Sequence, residues 1–176
     1  MLKADETSGN TLFEEKQRFP GWLNILIIGI TMFTIAIILI AGLTGPKEER
    51  NQIWIALVIA IPIEIFIIFL FRSMCLEKIV TSNGLYFRWM TWQRRFRVIE
   101  KENIKSFEVR NTPPLNYGIH WFPGYGWVHN ASGGQGLQFY LVNGNRVFLG
   151  TADIDSFAKA MNTLINRSQN QVFSEH

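Results

Sequence analysis

Two apolar runs constrain this chain more than any other feature: Trp22 to Leu43 carries no charged residue in 22 positions, and Ile53 to Phe71 carries only Glu64 in 19. At a rise of 1.5 Å per residue they would make helices about 33 and 28 Å long, which matches a hydrocarbon core of about 30 Å. A soluble core helix seldom stays apolar on every face for that length, so both runs read as transmembrane helices. Their connection, Thr44 to Gln52, is short and holds Gly45 and Pro46, which makes the helices antiparallel neighbours.

The rest of the 176 residues allows one soluble domain of about 100 residues. The expected division is a cytoplasmic tail over 1–21, a membrane hairpin over 22–72 (helices 22–43 and 53–71), a domain over 73–168 and a disordered tail over 169–176. Met1 to Asn10 is polar and unpatterned. Leu12 to Phe19 is expected to form a short interfacial helix, with Leu12, Phe13 and Phe19 toward lipid and Lys16 and Arg18 at the headgroups. The mixed charges of the first twenty residues do not make the basic flank of a secretory signal.

Lys and Arg near the helix ends set the orientation. The loop has Lys47 and Arg50, offset by Glu48 and Glu49. The flanks have Lys3, Lys16 and Arg18 on one side and Arg72, Lys78, Arg88, Arg94, Arg95 and Arg97 on the other. The positive-inside rule then puts both termini in the cytoplasm, as a multi-pass protein of the cell (inner) membrane. Net charge is +3, and Ser73 to His176 holds 11 Lys and Arg against 7 Asp and Glu. That modest excess suits a face near anionic headgroups better than a nucleic-acid partner. The single cysteine, Cys75, excludes an intramolecular disulfide and a zinc site built from several thiolates, and reads as an inert thiol.

After Phe71 the pattern changes to period two. Leu76 to Thr81 and Leu85 to Met90 flank Asn83-Gly84, a hairpin signal in which both positions tolerate positive φ. Leu85, Phe87 and Trp89 alternate with Tyr86, Arg88 and Met90. Arg94 to Ile99, Ile104 to Arg110, Ile119 to Phe122 and Gly126 to His129 are further strand candidates. A last hairpin joins Leu137 to Val142 with Arg146 to Leu149 through Asn143-Gly144. From Asp153, Ile154, Phe157, Ala158, Met161, Leu164 and Ile165 fall on one helical face, so Phe157, Met161 and Leu164 are expected to be buried by the strands.

Short strands, tight hairpins and one closing amphipathic helix follow the element order of a pleckstrin-homology barrel. The residues also resemble a largely uncharacterised bacterial family of two-helix membrane proteins with a cytoplasmic PH-like domain. The matching stretches are Phe13-Glu14-Glu15-Lys16-Gln17-Arg18-Phe19 before Trp22, Tyr117-Gly118-Ile119-His120 leading to Asn130-Ala131-Ser132-Gly133-Gly134-Gln135-Gly136, the hairpin Leu137 to Leu149, and Gly150-Thr151-Ala152-Asp153. The resemblance implies a membrane α-hairpin plus an α+β domain, a small antiparallel β-barrel closed by a C-terminal helix. It carries over no catalytic residue.

No enzymatic motif stands out. The glycines lack phosphate-loop spacing, and no serine sits in a nucleophile elbow. His120 and His129 lack thiolate or carboxylate partners for a metal and read as surface or hydrogen-bonded residues. No catalytic, cofactor-binding or metal site is assigned.

Three candidates remain. Arg88, Trp89, Trp92, Arg94, Arg95 and Arg97 are candidate lipid contacts, because Arg72 to Cys75 span at most about 14 Å and hold the domain near the leaflet. Tyr117, Trp121, Tyr125 and Trp127, interleaved with glycines, form a candidate partner-binding rim. Glu64 is an intramembrane polar group, with Asn24, Thr31, Thr34 or the carbonyl freed by Pro62 as possible partners.

The reading that follows is a non-enzymatic binding or scaffold module at the inner membrane surface. It would contact membrane lipid and a protein partner, or a second copy of the chain. An oligomeric solute or proton conductor using Glu64 is the alternative, and a membrane-associated enzyme the third.

Overall fold

The computed structural model describes residues 9–48, 50–91, 93–114 and 117–172, with side chains up to residue 166. Residues 1–8, in the expected tail, and Trp92, a candidate lipid contact, lie outside the described residues. So do 173–176 of the expected disordered tail. The chain divides into two units, a helical pair over Phe19–Ser73 and a sheet domain built from the chain on both sides of it.

The helical unit is α1 (Gly21–Thr44) and α2 (Arg50–Ser73), each 24 residues and each long and apolar enough to cross a membrane. The less exposed positions of α2 include Ile53, Leu57, Ala60, Glu64, Ile67 and Phe71, at alternating steps of four and three. Those of α1 include Ile27, Thr31, Ile35, Ile38 and Gly42. This is the heptad spacing of two helices packed along one seam. Gly42 lets them approach: a Cβ there would stand 3.3 Å from the Ile53 side chain.

The sheet domain overturns one expectation. Thr11–Arg18 is a strand, β1, not an interfacial helix. Its residues alternate, and a neighbouring strand supplies the hydrogen bonds that a helix would have made internally. That neighbour is β2 (Cys75–Thr81), antiparallel to β1, with Arg18 directly opposite Cys75. Both long apolar helices are therefore inserted at the turn of a β-hairpin.

The first sheet continues with β3 (Gly84–Trp89) and β4 (Arg97–Glu100) in the order β1-β2-β3-β4. A 3-10 turn at Lys101–Asn103 leads to the second sheet. Its strands are β5 (Ile104–Asn111), β6 (Gly118–Phe122), β7 (Gly126–Asn130), β8 (Gln135–Leu141) and β9 (Arg146–Thr151). They run β5-β8-β9-β7-β6, antiparallel except where β7 lies parallel to β9. These are two open sheets, and no ladder among the described residues closes them into the expected barrel.

The closing helix, α3 (Ile154–Val172), runs past residue 168, into the expected tail. Its Phe157, Met161 and Leu164 are fully buried against Val80, Leu85, Phe87, Leu137, Phe139 and Leu149 from the two sheets. Burial of such side chains is worth about 1.5–3 kcal/mol each.

The two Asn-Gly turns form differently from expectation. Among the described residues no non-glycine has positive φ, and Gly84 does not either. Gly84 is needed for space, since a Cβ would meet the Ile99 carbonyl oxygen at 2.8 Å. At the second turn only Gly144 is left-handed, at φ 83°, its N–H donating to the Leu141 carbonyl. That is a type I turn followed by a left-handed residue.

The inner face of the first sheet carries a buried ion pair. Lys78, with no exposed surface, sits directly opposite Glu15 at 2.7 Å, donates to the Gly150 carbonyl, and lies 5.1 Å from the centre of the Phe157 ring. Glu15 also accepts from the Thr151 hydroxyl at 2.6 Å, the Ala152 N–H at 2.9 Å and Gln17 Nε2 at 3.0 Å. Burial pulls Lys78 down to about 8, against the attraction of Glu15. Burial pushes Glu15 up, but Lys78 and the surrounding donors outweigh it and hold the carboxyl below its ordinary range.

Removing one partner of such a pair leaves an uncompensated buried charge. Glu15→Leu should destabilise the chain by on the order of 3 kcal/mol. Lys78→Met in addition should recover a large part of that loss, measured by thermal melting in detergent as a double-mutant cycle. Replacing residues 19–74 by Asn-Gly, a two-residue hairpin loop that suits the Arg18–Cys75 register, should give a folded, water-soluble domain. A fragment starting at Cys75 should not fold, because it lacks Glu15 and β1; circular dichroism and gel filtration of the two proteins decide.

Candidate functional site

Chain connectivity gives the sheet domain a direction. Arg18 and Cys75 mark the end of the first sheet where the chain passes to the helices. The β3–β4 connection leaves at that same end: the Met90 N–H donates to the Cys75 carbonyl at 2.9 Å, and Trp89 lies opposite Leu76. Arg94 and Arg95 stand exposed in this connection, and Arg97 is exposed at the start of β4. From Met90 to Arg97 there is no acidic residue.

The second sheet crosses the first with its strands in spatial order. β5 follows Glu100, at the far end. On β9, the Gly150 carbonyl meets Lys78. On β7, His129 meets Trp89, and just beyond β7 the Ser132 carbonyl accepts from Gln17 at 2.9 Å. Each step moves toward Arg18 and Cys75, so β6, beyond β7, lies at the end of the domain where the chain enters the helices.

Trp89 is corrected as a lipid contact. It has no exposed surface, and its Nε1–H donates to His129 Nδ1 at 3.1 Å, because strand parity puts it with Leu85 and Phe87 on the core face. Arg88 is not free either. It lies on the outer face, paired with Glu77 at 2.7 Å, stacked 4.1 Å from the Phe96 ring and bonded to the Arg94 carbonyl at 3.1 Å. Glu77 also holds Lys16 at 3.1 Å, so opposite charges alternate across β1, β2 and β3.

The aromatic rim divides as well. Trp121 and Trp127 sit directly opposite each other and are 59% and 52% exposed, with Ile119 on the same face at 39%. Tyr125 instead packs over the outer face: its hydroxyl donates to the Asn111 carbonyl at 3.1 Å, Arg110 lies 4.0 Å above its ring, and Phe148 meets it edge-on at 5.5 Å. Tyr117 is half-buried.

His129 is 1% exposed between Trp89 and Phe87, whose ring centre lies 5.0 Å away. Burial, with Arg97 and His120 nearby, pulls it down to about 4, and a neutral ring is what the Trp89 hydrogen bond needs. Burial also lowers His120. Among the described residues no three His, Cys, Asp or Glu converge on a metal position. Cys75 is buried, and burial pushes its thiol up. Within the helical pair, Glu64 accepts from the Thr31 hydroxyl at 2.9 Å.

Nothing among protein-family models, curated proteins or solved structures matches the chain.

A histidine lowered from 6.5 to about 4 binds fewer protons when folded than when unfolded. Its contribution to stability is complete above pH 6.5 and lost as pH falls toward 4, on the order of 3 kcal/mol. The melting temperature in detergent should fall between pH 6.5 and 4.5. His129→Gln, which keeps an acceptor for Trp89, should fall less than half as far; equal falls would assign the effect to other groups.

Proposed function

We propose that this chain is a two-pass membrane protein whose domain, PH-like in element order, faces the cytoplasm and serves as a non-enzymatic binding module fixed to the inner membrane surface. The pairing of Arg18 with Cys75 carries this reading. The strand before the first helix and the strand after the second are neighbours in one sheet, so both ends of the hairpin leave the membrane on one side. Only Phe19 and Pro20 separate β1 from α1, and only Met74 separates α2 from β2. The two links therefore leave the sheet domain from neighbouring residues of one ladder.

The Lys and Arg of the two flanks favour the cytoplasmic side. The PH-like assignment is supported by the strand order once the β6–β7 hairpin is set aside. What is left is a four-stranded antiparallel sheet, a three-stranded one (β5-β8-β9) and a closing helix. The Thr31–Glu64 hydrogen bond supports a packing role for Glu64 over a pore-lining one.

Cysteines placed singly at Lys47 and at Asn143, in a Cys75→Ala background, test the orientation. On intact cells an impermeant maleimide should label Lys47→Cys and reach Asn143→Cys only after permeabilisation. The opposite pattern would put the domain outside and end this reading.

A further inference from the structure

The inner face of the second sheet is covered by core through Leu137, Phe139, Leu149 and, on β7, His129, yet beyond these the same face is exposed at Trp127 and along β6. There it presents Ile119, Trp121 and Trp127. We propose that this hairpin is an interfacial anchor: the two tryptophans and Ile119 seat in the headgroup layer of an anionic leaflet, and Arg94, Arg95 and Arg97 bind its phosphates. This rests on the membrane-surface reading above and names its ligand.

Three observations select lipid. β6 is the strand at the helix-bearing end of the domain, as the contacts of β9 with Lys78 and of β7 with Trp89 order it. The links from that end to the helices span no more than about 10 Å, close to the depth of one headgroup layer. The exposed arginines stand at the same end, in a stretch free of acidic residues, so charge complementarity favours an anionic surface. Tryptophan suits this boundary, since its ring is apolar and its N–H needs a polar neighbour. The anchor is thus Trp121 and Trp127, while Trp89 holds the two sheets together beneath them.

The test uses the full chain in lipid nanodiscs. In the Cys75→Ala background, spin labels go singly at Ile119→Cys, Trp121→Cys and, at the far end, Asn143→Cys. Accessibility to oxygen and to an aqueous nickel reagent reports depth. In phosphatidylglycerol-containing discs, positions 119 and 121 should be severalfold less accessible to the nickel reagent than position 143. Replacing Arg94, Arg95 and Arg97 together by Gln should reverse part of that difference. An unlabelled control measures fluorescence quenching by brominated lipid in a Trp22→Phe/Trp54→Phe background, which removes the helix tryptophans; adding Trp121→Phe and Trp127→Phe should then abolish most of the remaining quenching, and unchanged quenching would overturn the anchor.

Aqueous readings at both 119 and 121 would overturn the anchor and leave the tryptophans as a protein-docking surface. Equal insertion into pure phosphatidylcholine discs would overturn the anionic assignment. Failure of the underlying reading shows separately, as labelling of position 143 from outside intact cells.

Discussion

The pairing of Glu15 with Lys78 ties this domain together. It joins a strand that precedes the membrane helices to one that follows them, and it carries the second sheet and the start of the closing helix with it. Lys78 reaches the Gly150 carbonyl, and Glu15 collects the Thr151 hydroxyl and the Ala152 N–H. A fully buried ammonium is tolerable only with this many partners. β1 is an edge strand, and Phe13, stacked at 5.2 Å on Phe157, adds the apolar contact beside it.

A second polar tie, from Trp89 to His129, lies one row of side chains nearer the Arg18–Cys75 end. Apolar side chains pack in many registers, whereas a buried lysine and a buried indole N–H each accept few positions. Each of these two ties joins the first sheet to the second at a fixed pair of residues, Lys78 to Gly150 and Trp89 to His129. They also oppose each other in electrostatic character. Lys78 is stabilised by a charge brought to it, while His129 must stay uncharged.

Much of the fold was legible in the sequence, because the relevant signals are local. The apolar runs, the period-two strands and the Phe157-Met161-Leu164 face each declare themselves within a few residues. Leu12 to Phe19 suggests an interfacial helix only through its nearness to the first apolar run, and through Arg18 it is a strand instead. Its alternation of Phe13, Glu15 and Gln17 against Glu14, Lys16 and Arg18 is a strand signal, and its partner lies more than fifty residues away, beyond both helices. The Glu15–Lys78 pair was invisible for the same reason. Trp89 is different: the alternation that grouped it with Leu85 and Phe87 already placed it in the core, and its nearness to arginines in sequence pointed the other way. The exposure of Trp121 and Trp127 has no local signature, since it depends on the second sheet extending past what covers it.

The position of the membrane helices within the sheet explains the economy of the design. A transmembrane hairpin appended to one terminus would leave the domain on a single tether, free to rotate about it. Inserted at the β1–β2 turn, the hairpin is attached through two strands held side by side by their ladder, with Arg18 and Cys75 in register. The end of the first sheet where the chain passes to the helices is thus defined by the β1–β2 ladder itself, and the connection that carries Arg94 and Arg95 leaves at that same end, where the Met90 N–H meets the Cys75 carbonyl.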